Sequence, residues 1–209
     1  MDIVRYASLA PMPWANGGGT TRQLASGAAG PAGTAGSTTL GAGAKGEPWD
    51  WRISIAEVSK AGPFSALPGI DRILTIIDGD LIALTVDGTE QALEKFRPFR
   101  FSGDSATSAT LPTGSLMDLN LMTRRGVYKG YATILELSKK RPHPVFDGQF
   151  AVLLQGSADV LQEGTDDAGN PTGALVTDTL GRFDLVAGAK SMPHLSGRGF
   201  LAVLSIDAV

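Results

Sequence analysis

The chain shows its clearest pattern after residue 50, where apolar and polar side chains alternate. The segment 51–56, Trp-Arg-Ile-Ser-Ile-Ala, has two chemically different faces at a period of two, which is typical of a β-strand. The segments 72–77 and 81–86 are apolar on both faces, and Asp78-Gly79-Asp80 between them is a tight-turn signal. The pattern therefore predicts a hairpin of two buried strands at 72–86.

Short apolar segments separated by glycine and proline continue to the end of the chain. They predict strands at 96–101, 116–122, 151–154, 158–161, 183–186 and 200–206. A turn is predicted at Gly156, which lies 77 residues after Gly79, and Pro193 lies 81 residues after Pro112. These similar spacings indicate that one β unit occurs twice, and the repeated antiparallel pattern predicts an all-β fold.

Two segments do not follow this pattern. Residues 25–46 are almost entirely Gly, Ala, Ser, Thr and Pro and have too few bulky side chains to bury a core. Residues 162–173 are rich in turn residues. We interpret 25–46 as a mobile loop and 162–173 as a second, shorter loop. A lid over a binding site is the alternative role for 25–46.

The composition excludes several functions. The 209 residues carry a formal net charge of −3 and no cysteine, so disulfides, thiolate metal sites and a cysteine nucleophile are excluded. The basic clusters are too short for a nucleic-acid interface, and apolar runs stop far short of the roughly 20 residues that cross a bilayer. The acidic start lacks a secretory signal. We expect a cytoplasmic protein with no nucleic-acid and no membrane partner.

The segment 14–22, Trp-Ala-Asn-Gly-Gly-Gly-Thr-Thr-Arg, concentrates polar groups. Its glycines let the backbone approach a ligand closely, and Arg22 can bind a carboxylate through two parallel N–H bonds. A small organic acid would suit this segment, whereas an ordinary hairpin turn is the alternative interpretation. The predicted ligand-binding residues of this segment are Asn16, Gly17, Gly18, Thr21 and Arg22.

Charged and amide side chains also lie on predicted strands. Asp118, Asn120 and Arg124 are separated by even numbers of residues, so on a strand they share one face, which either lines a pocket or faces solvent. Four further charged residues on predicted strands could also either line a pocket or face solvent, and a buried charge normally needs a partner. These residues are Arg52, Glu57, Asp71 and Arg72.

Metal and nucleophilic chemistry have little support in the sequence. His143 and His194 are 51 residues apart, each beside a proline in a loop-like context, and there is no His-X-His pair. We therefore predict no metal site and no cofactor, and no nucleophile stands out. General acid–base catalysis by Glu57, Asp71 or Asp118 stays open, since a pocket can raise the pKa of a carboxyl group.

Longer motifs follow one another in order along the first part of the chain. After 14–22 and 51–58 come Gly62-Pro-Phe-Ser65, Pro68-Gly-Ile-Asp-Arg72, Phe101-Ser-Gly-Asp104 and Asp118-Leu-Asn-Leu-Met-Thr-Arg-Arg-Gly126. Together they resemble the HutD/Ves family, from residue 4 to about residue 135, with weaker similarity to the C-terminus. The resemblance implies a bicupin, with two double-stranded β-helix (jelly-roll-like) barrels. We assign these barrels to 1–125 and 126–209, with 25–46 as an insertion.

The resemblance also implies a function. The protein would bind a small acidic intermediate of histidine degradation, such as formylglutamate or urocanate, and regulate histidine utilisation without a metal. By motif position, the residues lining or bracing the N-terminal pocket would be Asn16, Thr21, Arg22, Arg52, Asp71, Arg72, Asp118 and Asn120. The alternative is a metal-independent cupin enzyme, an isomerase or hydrolase that uses Glu57, Asp71 or Asp118. Exposed sheet edges predict a homodimer.

Overall fold

The computed structural model of the chain describes residues 2–30, 36–42, 47–165 and 171–209. The described residues form β-strands and turns, with one short 3-10 helix at Tyr6–Ser8, and this confirms the predicted all-β class. None of the described helical residues forms a segment long and apolar enough to span a bilayer.

The strands are numbered in chain order. In the first part of the chain they are β1 Asp2–Val4, β2 Met12–Pro13, β3 Gly19–Ala28, β4 Ser37–Leu40, β5 Trp51–Val58, β6 Gly62–Pro63, β7 Ile70–Asp78, β8 Leu81–Val86, β9 Thr89–Glu94, β10 Phe99–Ser102, β11 Thr107–Thr110 and β12 Leu116–Arg124. They continue with β13 Tyr128–Leu137, β14 His143–Pro144, β15 Gln149–Thr165, β16 Pro171–Leu180, β17 Leu185–Ala187 and β18 His194–Ala208.

The chain divides into two compact units. The N-terminal unit comprises Ser8–Ala132 and Ile206–Val209, and the C-terminal unit comprises Met1–Ala7 and Thr133–Ser205. The predicted division at residue 125 differs from these units at both chain ends. β1 belongs to the C-terminal unit because it pairs with β17, and the N–H of Val209 donates to the carbonyl of Val127 in the N-terminal unit. The assignment of each unit as a cupin barrel stays a prediction.

The C-terminal unit is built on a sheet with the order β1-β17-β15-β18-β13, with β14 on β18 and β16 on β15. Its core is apolar and includes Leu153, Val160 and Leu201. The predicted turn at Gly156 is wrong, because β15 continues through this residue. Gly156 (φ +92°) lies just after a β-bulge, at which the register against β18 shifts between Leu153 and Gln155.

Replacing Gly156 with alanine is expected to lower the free energy of unfolding by about 2 kcal/mol or more. The added Cβ would lie 1.9 Å from the carbonyl oxygen of Arg198, at a left-handed φ that disfavours side chains. Gly88→Ala is the matched control, because Gly88 has a φ of +81° but a Cβ added there would have nothing within 4 Å. Urea unfolding measures both variants. Equal losses of unfolding free energy in the two variants would contradict a role for the close contact between residue 156 and the carbonyl of Arg198.

The N-terminal unit contains two sheets. The larger has the order β10-β7-β12-β5-β3-β2, with β4 on β3, and the smaller has the order β6-β11-β8-β9. The predicted hairpin at 72–86 is wrong, because β7 and β8 lie in different sheets. The turn at Gly79 (φ +83°) joins one sheet to the other. The Asp87-Gly88 turn, with two positive φ angles, instead closes a hairpin of β8 with β9.

One hydrophobic cluster connects the two sheets of the N-terminal unit. The larger sheet contributes Ala56, Val58, Leu74, Ile76, Phe101 and Leu116, and the smaller sheet contributes Ile82, Leu84, Leu93 and Ala109. These side chains define an inner face of the larger sheet, and they fill only part of it. The remaining part of this face carries the candidate site.

The segment 25–46 is only partly a loop. Residues 25–28 complete β3 and pair with β4, where Gly27 is required because a Cβ would lie 2.4 Å from the ring of Trp51. The predicted mobile loop is therefore wrong for these paired residues, since backbone pairing needs no bulky side chains. The rest of that prediction, at 31–35 and 43–46, lies outside the described residues. So do residues 166–170 of the second predicted loop.

Candidate functional site

The candidate site is built on three neighbouring strands of the larger sheet, β5, β12 and β7. Their register forms three rows on the inner face, each with one residue from every strand. The rows are Arg52, Met122 and Arg72; Ser54, Asn120 and Leu74; and Ala56, Asp118 and Ile76. Because side chains alternate along a strand, all three rows point the same way. Polar groups therefore gather at one end of the inner face, next to the apolar core.

A cavity of about 270 Å³ opens at this polar end of the sheet. Its lining residues are Trp14, Asn16, Thr21, Arg52, Ser54, Ala56, Pro63, Phe64, Ser65, Leu67, Arg72, Asp118, Asn120 and Met122. The set combines apolar and aromatic walls with a few convergent polar groups, which is the usual composition of a small-molecule site. Its size suits a small metabolite.

Arg72 is the most buried cation of the cavity, with 6% of its surface exposed. Its Nη2 donates to Asn120 Oδ1 at 3.0 Å, and its guanidinium lies over the rings of Phe64 and Phe101, 5.2 and 5.0 Å from their centroids. Its Nε is buried without a hydrogen-bond partner among the described residues. Burial lowers the pKa of Arg72, which the charge of Asp118 opposes, but the side chain stays protonated.

Arg52 is a second cation on the same face. Its Nη2 contacts the thioether of Met122 at 3.5 Å, and its guanidinium lies 4.6 Å from the centroid of the Trp49 ring. Its Nε is also buried and has no partner in the described part of the chain. Burial lowers the pKa of Arg52 as well. A thioether is a weak acceptor, so this guanidinium keeps strong donors available.

Asp118 is the only carboxylate among the described residues that line the cavity, and it is 1% exposed. Asn120 Nδ2 donates to its Oδ1. Burial raises the pKa of Asp118 to about 7, although the charge of Arg72 and the hydrogen bond from Asn120 act in the opposite direction. Near neutral pH the carboxyl group is therefore partly protonated.

The charges of the cavity do not balance. It contains two guanidiniums and one partly protonated carboxyl, and no carboxylate of the described residues lies within 4 Å of Arg52 or Arg72. Buried charges are normally paired or bound to a counter-ion. The cavity thus has an excess of positive charge and of unused N–H donors, which favours an anionic occupant.

The segment 14–22 is a hairpin that also lines the cavity. It is a hairpin of β2 with β3, whose turn has Gly17 at φ +65° and Asn16 Oδ1 accepting from the N–H of Gly18 at 2.9 Å. It also lines the cavity through Asn16, Thr21 and Trp14, and the indole N–H of Trp14 donates to the Thr21 hydroxyl at 2.8 Å. Gly17 and Gly18 shape the turn and are not among the lining residues.

Several residues predicted for the site lie away from the cavity. Arg22 follows Thr21 on β3 and points to the other face, where its Nη1 lies 2.5 Å from Glu57 Oε1. Asp71 instead pairs with Arg125 at 2.8 Å on the surface. Arg124, expected on the face of Asp118, forms an exposed ion pair with Asp50. Arg22 is therefore not among the residues that line the cavity, where the arginines are Arg52 and Arg72, which were also predicted.

The residues that close the cavity from the smaller sheet were not predicted from the sequence. Phe64 and Leu67 follow β6, which pairs with β11, and Phe64 packs on the Arg72 guanidinium. The Gly62-Pro-Phe-Ser65 motif was the available signal. Local pattern could not connect it to the site because β6 and β7 belong to different sheets.

The two histidines lie close together in the C-terminal unit, away from the loops predicted for them. His143 is on β14 and His194 is on β18, and these strands pair. Burial and the neighbouring His194 lower the pKa of His143. In the described part of the chain, no three His, Cys, Asp or Glu side chains come together. The donor set of the cavity itself does not fit a cupin metal, because two guanidiniums lie beside its carboxylate.

The fold and the cavity define an all-β protein of the cupin type whose N-terminal unit contains a cationic cavity. A cupin barrel protein from Leptotrichia buccalis has the same fold, with a TM-score of 0.51 at 11% identity, covering 100% of this chain and 96% of the other. The chain belongs to the HutD family, whose family model matches residues 6–195.

Two curated relatives support this membership over part of their length. One is an uncharacterised 21.2 kDa protein in the hutC 3′ region of Pseudomonas putida, 35% identical over 58% of this chain. The other is protein Ves of Citrobacter koseri, also 35% identical over 58% of this chain. The alignments span 57% and 59% of these relatives. HutD from Pseudomonas fluorescens SBW25 has a TM-score of 0.71 at 25% identity, covering 100% and 98% of the two chains.

Proposed function

We propose that the protein binds a small organic acid in the cavity of the N-terminal unit. The observation that carries the proposal is the pair of guanidiniums of the buried Arg72 and the partly buried Arg52, neither of which has a carboxylate partner among the described residues. A carboxylate ligand would receive their free N–H groups and compensate their charge. The walls of Trp14, Phe64 and Leu67 would cover its carbon chain.

We further propose that the acid is an intermediate of histidine degradation and that its binding regulates histidine utilisation. The names of the relatives support this connection, since one lies in a hutC region and another is HutD. Urocanate, formiminoglutamate and formylglutamate are the candidates, because each is a small molecule with a carboxylate that Arg52 and Arg72 could bind.

A thermal-unfolding screen of these three acids tests the proposal. A ligand at about 100 times its Kd is expected to add about 2.7 kcal/mol to the free energy of unfolding. Arg22→Ala serves as the control and should keep the full response, since Arg22 pairs with Glu57 outside the cavity. An absence of stabilisation by all three acids would contradict the proposal, and loss of the response in Arg22→Ala would contradict the location of the site.

A metal-independent isomerase or hydrolase is the second candidate function. It is favoured by Asp118, because a carboxyl group with a pKa of about 7 inside a binding cavity can donate and accept protons near neutral pH. The other two carboxylates considered, Glu57 and Asp71, pair with arginines outside the cavity. NMR of the protein with each acid detects turnover, and a product that disappears in Asp118→Asn would support this function.

The homodimer expected from exposed sheet edges and the cytoplasmic location both stay predictions. The outer strand β16 carries Leu175 and Val176, which are 56% and 60% exposed. Light scattering of the purified protein at several concentrations determines whether it dimerises.

A further inference from the structure

We infer that the cavity selects carboxylates that also carry a neutral hydrogen-bond donor, an amide N–H or a hydroxyl, and that Asp118 receives this donor. The inference rests on the proposed function, because the Arg52 and Arg72 end of the cavity must first bind the carboxylate. It adds a second recognition group and a chemical class of ligand.

The hydrogen bonds around Asn120 determine which atom of Asp118 is free. Arg72 can only donate, so it fixes Asn120 Oδ1 as the acceptor, and Asn120 Nδ2 must then donate to Asp118 Oδ1. The other carboxylate oxygen of Asp118 has no hydrogen bond to any described residue, although the residue lines the cavity. A nearly fully buried carboxylate therefore accepts one hydrogen bond where it can accept about four.

The free donors and the free acceptor lie on opposite sides of the Asn120 side chain. Arg72 donates to the amide oxygen of Asn120, and the amide nitrogen of Asn120 donates to Asp118. With about 3 Å for each hydrogen bond, the guanidinium and the carboxyl are separated by roughly 6 to 8 Å. A ligand that satisfies both groups needs a carboxylate and a donor separated by about two or three carbon atoms.

The charges in the cavity disfavour a charged group at the part of the ligand that faces Asp118. A second carboxylate would lie against Asp118, which burial already disfavours as an anion. An ammonium group would add a third positive charge to a cavity that already holds Arg52 and Arg72. A neutral N–H or O–H group completes the hydrogen bonds of Asp118 without adding charge.

Succinamate and levulinate test the inference, because they differ only by an amide NH₂ in one and a methyl group in the other. Isothermal titration calorimetry at pH 8 is expected to show that the wild type binds succinamate at least about tenfold more tightly, since hydrogen bonds to a charged group are strong. Asp118→Ala should bind the two compounds equally. Arg22→Ala, altered outside the cavity, should keep the wild-type ratio.

The wild type also provides a measurement that needs no variant. Below about pH 7 the Asp118 carboxyl takes up a proton and can donate to the carbonyl that both compounds share, so the preference should decrease at pH 5.5. Both ligand carboxylates stay ionised over this range. Equal binding of the two compounds at pH 8, or an unchanged ratio in a folded Asp118→Ala, would overturn this inference alone. Failure of both compounds to bind would overturn the proposed function with it.

Discussion

The Asp118→Asn variant is expected to be more stable than the wild type at pH 8 by about 4 kcal/mol. The pKa of Asp118 in the folded protein is about 7 against an ordinary value of 3.8, so the folded protein holds a proton that the unfolded chain releases. The contribution of the Asp118 carboxyl group to the free energy of unfolding is fully present below pH 3.8, and it is lost as the pH rises through about 7. Asparagine cannot ionise and avoids that loss. Urea unfolding between pH 5 and pH 8 measures the increasing difference.

A matched control separates this effect from a general effect of removing charge. Asp71→Asn removes a carboxylate that pairs with Arg125 on the surface, and it should change the free energy of unfolding by less than about 1 kcal/mol at either pH. Carboxylates whose pKa is lowered, such as Asp104, are present both in the wild type and in Asp118→Asn. Their contributions to the pH dependence of the free energy of unfolding therefore cancel when these two proteins are compared. Parallel pH profiles for Asp118→Asn and the wild type would contradict the buried, protonated state of Asp118.

Replacing Arg52 and Arg72 together with methionine is expected to weaken binding of the acids by a factor of about 100 to 10,000 without lowering the stability of the empty protein. Each guanidinium would lose charged hydrogen bonds of about 1.5–3 kcal/mol to a carboxylate. Arg72 is buried and Arg52 is partly buried, and neither has a carboxylate partner among the described residues, so methionine of similar volume relieves a desolvation cost. Calorimetric titration and urea unfolding of the same variant give the two quantities.

Weaker binding of the acids together with unchanged stability of the double variant would distinguish a binding cavity from a structural core. If the arginines served folding, the double variant would be destabilised, and the acids would bind no better to the wild type than to the variant. Arg97→Met is the control, because Arg97 is 78% exposed in an ion pair with Glu94 and should change neither quantity.

The alternation of side chains predicted the central part of the fold and of the site. Strand β12 was expected at 116–122 and occurs at Leu116–Arg124, with Asp118 and Asn120 on one face. Which face is internal could not be predicted, because that depends on the strands that pack against it from another sheet. Arg22 was chosen for its neighbours in sequence, but its position on β3 places it on the face opposite Thr21.

The predicted turns at Gly79 and Gly156 do not have the structures expected of them, although both glycines have a positive φ. Gly79, Gly88 and Gly156 have φ values of 83°, 81° and 92°, yet they lie in a connection between sheets, in a hairpin turn and next to a β-bulge. Their local backbone geometry is similar, and the difference lies in which strands pair on either side. Pairing partners are set by long-range packing, which a local sequence pattern does not contain.

Met122 lies between the two arginines and gives the site a natural spectroscopic reporter. The chain has five methionines, and Met122 is the one that lines the cavity among the described residues. Met12 and Met192 are 46% and 38% exposed and serve as internal references. With carbon-13 in the methionine methyl groups, one resonance would move when an anion enters between Arg52 and Arg72, and the occupancy of the cavity could be followed in the unmodified sequence.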